Sequence, residues 1–286
     1  MKTYLDCIPC MMEQALQTGR IATSDESKIK ELLDAVGDRI KDIPLENTPP
    51  ETATFIYQKI KEITGVNDPY QKIKEQNIQQ VIELYPYLKE LVDKSDDPLL
   101  MAIRLAVGGN VIDYGANRHF HLEDEIEKAI DQDFAVLDYD KFKDDLIKAQ
   151  SVLYLGDNAG ESVFDKLLIE TMDKPVTYVV REEPIINDVT MKDAINSGIG
   201  DVAEIISSGA HTPAVILKLC NENFLKIFNE ADLVISKGQG NYEGLSEVAR
   251  PIYFLLKAKC RLIAKELNVK INDIIMMKNN SIKNED

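Results

Sequence analysis

The sequence predicts an α/β fold: an open, mostly parallel sheet with crossover helices, preceded by an all-helical part. Three observations carry this. Up to about residue 147, apolar residues recur at helical spacing. From residue 151, short apolar runs rich in β-formers alternate with helical patterns, as in a parallel sheet wound with crossover helices. Polar residues gather where those runs end. The predicted division is a helical domain over 1–147 and an α/β domain over 148–286.

The helical elements follow in order. The stretch 25–43 places Ile29, Leu32, Leu33, Val36 and Ile40 on one face, with Asp25 near its start. The stretch 49–65 opens on proline and ends on Gly65. The stretch 72–95 reads as one long helix or two, with Pro86 as a bend. The stretch 97–116 is apolar enough to be buried, and 122–133 and 139–150 read as amphipathic helices. Predicted strands are 151–156, 176–181, 204–209, 232–238 and 273–278. The helical patterns after the first four are 160–172, 188–196, 213–229 and 243–267.

Composition narrows the function. The chain has 286 residues, 44% of them hydrophobic and 29% charged, enough to bury a sizeable core. A net charge of −16 argues against nucleic acid as the main partner, because that affinity comes largely from Lys and Arg on phosphates. No apolar run reaches membrane-spanning length, and the N-terminus lacks a signal-peptide core, so no membrane partner and a cytoplasmic location are expected. The 4 cysteines fit a reducing compartment.

Ligands of open α/β sheets bind outside the carboxyl ends of the strands. The first such end carries Asp157 and Asn158, followed by Ala159-Gly160-Glu161. A carboxylate and an amide oxygen suit a hard divalent cation, while a helix N-terminus suits an anion. A metal-bound phosphate satisfies both, although either residue could simply cap the helix. Asp188, after the second strand, could add a third oxygen ligand, or cap a helix with Thr190 nearby. The run Ser236-Lys237-Gly238-Gln239-Gly240-Asn241 could cradle phosphate with an ammonium and backbone amides, or be a glycine-rich turn. It matches neither the P-loop nor the dinucleotide fingerprint, since position 243 is Glu. Together the three ends describe a phosphoryl-transfer site with water or a hydroxyl as acceptor.

In that order, "LGDNAGE", "REEPIINDVT" and "SKGQGNYE" resemble the metal-dependent damage-control phosphatase family, long filed as domain of unknown function 89. The N-terminal "CIPC" and "GGNVIDYG" (108–115) resemble its prokaryotic branch, so the resemblance covers most of the chain. It implies an α/β domain with a helical partner and one divalent metal ion, Mn²⁺, Co²⁺, Ni²⁺ or Mg²⁺. The substrates implied are phosphate esters of small, damaged or surplus metabolites such as sugar phosphates. By motif, Asp157, Asn158 and Asp188 would hold the metal. Lys237 with Gly238, Gly240 and Asn241 would hold phosphate, and Lys257 would be the late substrate-contacting lysine, with Lys259 two residues away. Asp157 would also serve in catalysis, and Glu161 would orient the water or bind a substrate hydroxyl. Glu161 could equally be a first-turn acid favoured by the helix dipole. Asn110 and Asp113 could reach the site from the helical part, or the glycines beside them could serve only packing. The alternative to an enzyme is a non-catalytic sensor of phosphorylated metabolites.

Two stretches imitate other chemistry. Asp138-x-Asp140 resembles the nucleophile loop of haloacid-dehalogenase-type phosphatases, but Phe142 stands where Thr or Val belongs and a helix follows at once. Cys7 and Cys10 resemble a redox pair or half a zinc site, yet they precede helices rather than follow a strand. Cys220, Cys260, His119, His121 and His211 lie far off in sequence and show no ligand spacing. Packing of an N-terminal helix is the simpler role for the cysteine pair.

Overall fold

The computed structural model describes residues 1–109 and 122–279. Three helices, α1 (Cys7–Ala22), α2 (Glu26–Ile40) and α3 (Pro49–Thr64), share a core of Met11, Ala15, Leu32, Val36, Ile56 and Ile60. Asp25 caps α2 by accepting from the N–H groups of Ser27 and Lys28. Gly65 ends α3 in the left-handed conformation that favours glycine. Then come α4 (Gln71–Asp93), α5 (Pro98–Gly108) and α6 (Leu122–Asp131). Pro86 lies inside α4, so 71–93 is one helix. No described helix is long and apolar enough to cross a membrane.

The sheet has seven strands: β1 (Phe134–Leu137), β2 (Val152–Leu155), β3 (Val176–Val180), β4 (Glu204–Ser207), β5 (Leu233–Lys237), β6 (Tyr253–Lys257) and β7 (Ile274–Lys278). Their order is β1-β7-β6-β5-β2-β3-β4, and the only antiparallel pair among them is β6–β7. The remaining helices are α7 (Tyr139–Lys148), α8 (Ser162–Met172), α9 (Met191–Asn196), α10 (Glu222–Glu230), α11 (Gln239–Leu245) and α12 (Arg261–Glu266). Strand side chains alternate between faces. Val152, Tyr154, Tyr178 and Ile235 pack with α4, α5 and α8 on one face. Leu153, Leu155, Val179 and Val234 pack with α10, α11 and α12 on the other.

Two sequence expectations are corrected. The pattern over 243–267 is not one helix: Pro251 breaks it, and the β-forming run Tyr253–Lys257 becomes β6. The stretch 1–147 is not helical throughout, because Phe134–Leu137 forms edge strand β1 against β7. This strand is too short and half-exposed to stand out from the helical patterns around it. Residues of α4, α5 and α7 join the core of the sheet itself, so a boundary at 147/148 does not separate two cores.

Candidate active site

The strand order reverses between β2 and β5. From β2 the chain steps outward to β3 and β4; from β5 it steps the other way to β6 and on to β7. A crevice opens at the carboxyl ends where such a reversal occurs. Asp157 and Asn158 follow β2, Arg181 and Asp188 follow β3, and Lys237-Gly238 closes β5.

Backbone bonds staple the first two loops together. Asn158 and Asp188 form an isolated antiparallel bridge. The Ala159 N–H donates to the Asn187 carbonyl at 2.8 Å, and the Val189 N–H to the Asp157 carbonyl at 2.8 Å. The third loop closes on the first through Gly238. Its φ is 79°, and a Cβ there would lie 2.0 Å from Asp157 Oδ2, so only glycine fits. Neither Asp157 nor Asn158 caps α8, whose N-cap position is Glu161. Nor does Asp188 cap α9. Thr190 holds that position, and Asp193 Oδ2 accepts from its N–H at 3.0 Å and its hydroxyl at 2.6 Å. The cap readings of all three residues are thereby set aside.

The side chains form a buried charge network. Lys237, 1% exposed, donates to Glu161 Oε2 at 3.0 Å and Asp165 Oδ1 at 2.6 Å. Asp165 also accepts from Tyr154 at 2.7 Å and Tyr178 at 2.8 Å, whose rings stack with centroids 5.4 Å apart. Asn158 Nδ2 donates to Glu161 Oε1 at 2.6 Å and Asp157 Oδ2 at 3.3 Å. Arg181 donates from Nε to Asp188 Oδ2 at 2.7 Å and from Nη2 to Asn241 Oδ1 at 3.1 Å. Its Nη2 lies 3.9 Å from Asp157 Oδ1. Lys74 of α4, also buried, reaches Asp193 at 2.7 Å and Asp68 at 2.9 Å, tying the helical part to α9, the helix that follows the loop carrying Asp188.

Burial, then the neighbouring carboxylates Glu161 and Asp188, push Asp157 well above the usual carboxylate range; Lys259 and Arg181 oppose them. Burial raises Asp188 to about 6 against the pull of Arg181. Burial also raises Glu161, with Lys237 opposing. Burial works against the Lys237 ammonium, but Asp165 and Glu161 outweigh it and raise its pKa.

The model of the damage-control phosphatase ARMT1-like domain matches residues 3–275. The chain belongs to this family. A damage-control phosphatase of Pyrococcus horikoshii is 33% identical over 98% of this chain and 99% of its own length. One from Archaeoglobus fulgidus is 31% identical over 94% of this chain and 96% of its own length. The crystal structure of a DUF89 family protein from Pyrococcus horikoshii superposes with a TM-score of 0.88 at 30% identity. It covers 98% of this chain and 100% of that one. The family resemblance read from the three motifs is thus confirmed, and with it a phosphatase family.

Within this family frame, Asp157, Asn158, Glu161 and Asp188 come together at one sheet edge. Lys237 joins them, but as a buried partner of two carboxylates rather than an open phosphate hook. Asn241, expected at the phosphate, has its amide fully used. Its Nδ2 donates to the carbonyls of Gly156 and Lys237, and its Oδ1 accepts from Arg181 and the Val215 N–H. Gly240 lies inside α11, where a Cβ would meet the Pro213 carbonyl oxygen at 3.0 Å, so it serves close packing. The expected helix-end amides are also partly spent: the N–H groups of Glu161 and Ser162 bond the carbonyls of Asn158 and Ala159. Of the late lysines, Lys259 bears on Asp157, Glu161 and Asp188. Lys257 sits half-buried at the end of β6. Asn110 and Asp113 lie outside the described residues.

Sequence reasoning missed Asp165, its two tyrosines, and Lys74. The one available signal was a lone acid, Asp165, four residues after Glu161 in the apolar run of α8.

Among the described residues no three His, Cys, Asp or Glu side chains form a metal cage of their own. The donor set is instead two carboxylates, Asp157 and Asp188, and the side-chain amide oxygen of Asn158, whose Nδ2 donates to Asp157 and Glu161. Such hard oxygens suit a divalent ion that keeps open positions. Charge agrees: the buried carboxylates Asp157, Glu161, Asp165 and Asp188 face the buried cations Arg181 and Lys237. Beside these four acids and two bases, exposed Lys259 also acts on the cluster, as does Lys74, which is itself paired with Asp68 and Asp193. A divalent cation fits this deficit.

Proposed function

We propose that the chain is a metal-dependent phosphoric monoester hydrolase acting on small phosphorylated metabolites, sugar phosphates and damaged or surplus esters among them. The observation supporting this reading is the stapled pair of loops, which holds Asp157, Asn158 and Asp188 side by side at the sheet's reversal point with too little positive charge around them. A bound Mn²⁺, Co²⁺, Ni²⁺ or Mg²⁺ would supply Lewis acidity toward a phosphoryl oxygen and a more acidic water.

The chain's own residues have distinct tasks in this reading. Asp157, Asn158 and Asp188 hold the cation. Arg181 fixes the Asp188 carboxylate through Nε. Glu161, gripped by Asn158 and Lys237, stands where it can accept a proton from the attacking water, and its raised pKa suits that exchange. Lys237 and Asp165 keep Glu161 in place and take no direct part in substrate binding. Lys259, exposed beside the cluster, attracts the phosphate.

The test is turnover of a generic aryl phosphate after chelation, with Mg²⁺, Mn²⁺, Co²⁺ and Ni²⁺ restored singly. Activity that returns with metal and is lost in Asp157→Asn supports the reading. Turnover that survives both chelation and Asp157→Asn overturns it. Metal and phosphate binding without turnover on a panel of sugar phosphates would point to the sensor instead.

A further inference from the structure

The Cys7-Ile-Pro-Cys10 stretch plays no part in the site above. Cys7 is the first residue of α1, and Cys10 lies one turn on along the same helix face. The N-cap residue Asp6 makes no side-chain hydrogen bond, and the first turn is held by the backbone alone: the Cys7 N–H donates to the Tyr4 carbonyl at 3.0 Å and the Ile8 N–H to the Leu5 carbonyl at 3.1 Å. Pro9 falls within that turn, where its missing N–H forfeits no helix bond. A third thiol arrives from far along the chain: Cys260, just before α12, bears electrostatically on both Cys7 and Cys10. All three are free; Cys10 is exposed and the other two are half-buried. Gln239 ties the cluster to the rim of the candidate active site. Its Nε2 donates to Cys260 Sγ at 3.6 Å and to Glu243 Oε1 at 2.8 Å, while its Oε1 accepts from the Lys259 N–H at 2.8 Å.

We propose that Cys7 and Cys10 form a thiol–disulfide exchange site whose substrates are low-molecular-weight disulfides. Neighbours at this helical spacing have Cβ atoms roughly 5–6 Å apart. A disulfide needs about 3.5–4.5 Å. The first turn therefore has to close by roughly 1–2 Å, at a helix end held by two backbone turn bonds and no side-chain cap. Exposed Cys10 is the entry point. Its sulfur attacks a disulfide R–S–S–R, forming Cys10–S–S–R and releasing one thiolate. The Cys7 sulfur then attacks the Cys10 sulfur and releases the second. Two protein thiols are oxidised to one disulfide, one small disulfide is reduced to two thiols, and the two thiol protons leave on the products.

The surroundings make this exchange slow at neutral pH. Partial shielding from solvent first, then Glu243 of α11, Cys260 and Glu13 of α1, raise the Cys10 thiol above its usual range. Burial and Glu243 do the same to Cys7 against the backbone contact with Tyr4. Tyr57 of α3 also faces Cys10. The thiolate is the attacking species, so the rate should rise about tenfold from pH 7 to pH 8.

The proposal is independent of the phosphatase reading, and its test uses no activity measurement. The full chain is incubated with oxidised glutathione at pH 8.5, quenched with an alkylating agent, and mapped by mass spectrometry. The expected product has lost two hydrogens within the single peptide that holds Cys7 and Cys10. Cys7→Ser should stop at a glutathione adduct on Cys10, Cys10→Ser should give neither product, and Cys260→Ser should leave the bond intact. A bond from Cys10 to Cys260 or Cys220, a persistent adduct without ring closure in the unmodified chain, or four thiols still free would each overturn it. Mapping of the unmodified chain decides the matter even if a serine variant fails to fold.

Discussion

Two strand-to-helix corners of this molecule look alike in sequence and behave differently. After β1, Asp138 leads straight into α7; after β2, Asp157 leads into α8. Both put a carboxylate at a strand's carboxyl end. Asp138 spends its oxygens locally: Oδ2 accepts from the Lys278 N–H at 2.9 Å and Oδ1 from Lys141 at 2.9 Å. Its strand is at the sheet edge, with no reversal beside it. Asp157 sits between β3 and β5, where two further loops converge on it. Position in the strand order, more than the local residue pattern, makes one corner a site and the other a brace.

The strongest way to break this comparison is to neutralise both acids. Asp157→Asn is expected to lower kcat/KM on an aryl phosphate by about 10³ or more, the scale for removing a group that acts on the transition state. Asp138→Asn should leave it within about twofold. Steady-state kinetics with saturating metal decides; equal losses would refute the distinction.

The next contrast is between lysines. Lys237→Met leaves Glu161 and Asp165 buried without their cation, a loss of about 3–5 kcal/mol. At the edge corner, Lys278 pairs with Asp145 at 2.7 Å, with side chains 28% and 34% exposed. Lys278→Met should cost no more than about 1 kcal/mol. Urea unfolding of the two variants checks this, and similar midpoints would mean that the central network is not the anchor proposed here.

How much of this was legible beforehand follows from the same contrast. The strand ends could be read because short apolar runs stop abruptly at Asp157, Arg181 and Lys237. The decoy at Asp138 was set aside on the strength of Phe142, which proves to be a buried core residue. Burial itself was not legible. Lys237 beside two glycines reads as an exposed hook, and only the fold shows Asp165 and Glu161 closing over it. Tyr154 and Tyr178 read as strand filler, yet their hydroxyls reach the one acid of α8 that a helical wheel places inside. Strand β6 was lost because its apolar run also fits a helix period; Pro251 was the signal to stop. Lys74 and Lys259 depend on contacts distant in sequence, which local pattern does not encode.

Gly238 tests the packing that defines the central corner. In Gly238→Ala the added methyl meets Asp157 Oδ2 and the backbone keeps a φ of 79° that alanine resists. A displacement of Asp157 by about 1 Å should reduce kcat by about a hundredfold, measured alongside a thermal melt to separate strain from misplacement. Wild-type turnover would show that the corner has slack. The late lysines give a smaller effect. Lys259→Ala should raise KM about tenfold, one lost charge contact to an anion, while Lys257→Ala leaves KM within about twofold. The reverse ranking would restore Lys257 as the substrate lysine.

The smallest effect concerns protons, and the two sides of the sheet should differ in sign. At the edge corner the Lys278 ammonium, then the Tyr253 hydroxyl, hold Asp145 below the usual carboxylate range against burial. On α11, behind the β5 corner, burial pushes Glu243 up to about 7 from an ordinary 4.5, with Gln239 and the N-terminal ammonium opposing. A depressed folded pKa gives stability that is present above the unfolded value and lost as pH falls through the folded one. Asp145→Asn should therefore cost up to about 1 kcal/mol at pH 7, and that deficit should fade below pH 3.8. A raised folded pKa works the other way. The contribution of Glu243 is complete below pH 4.5 and lost as pH rises through about 7. Glu243→Gln, which cannot titrate, should gain on the parent chain across that window, by roughly 1–3 kcal/mol at pH 8. Urea midpoints at pH 3, 4.5, 6 and 8 read both slopes. If Glu243→Gln shows no gain with pH, the β5 corner does not hold its acids protonated, and the electrostatic difference between the two corners is confined to the carboxylates at Asp157 itself.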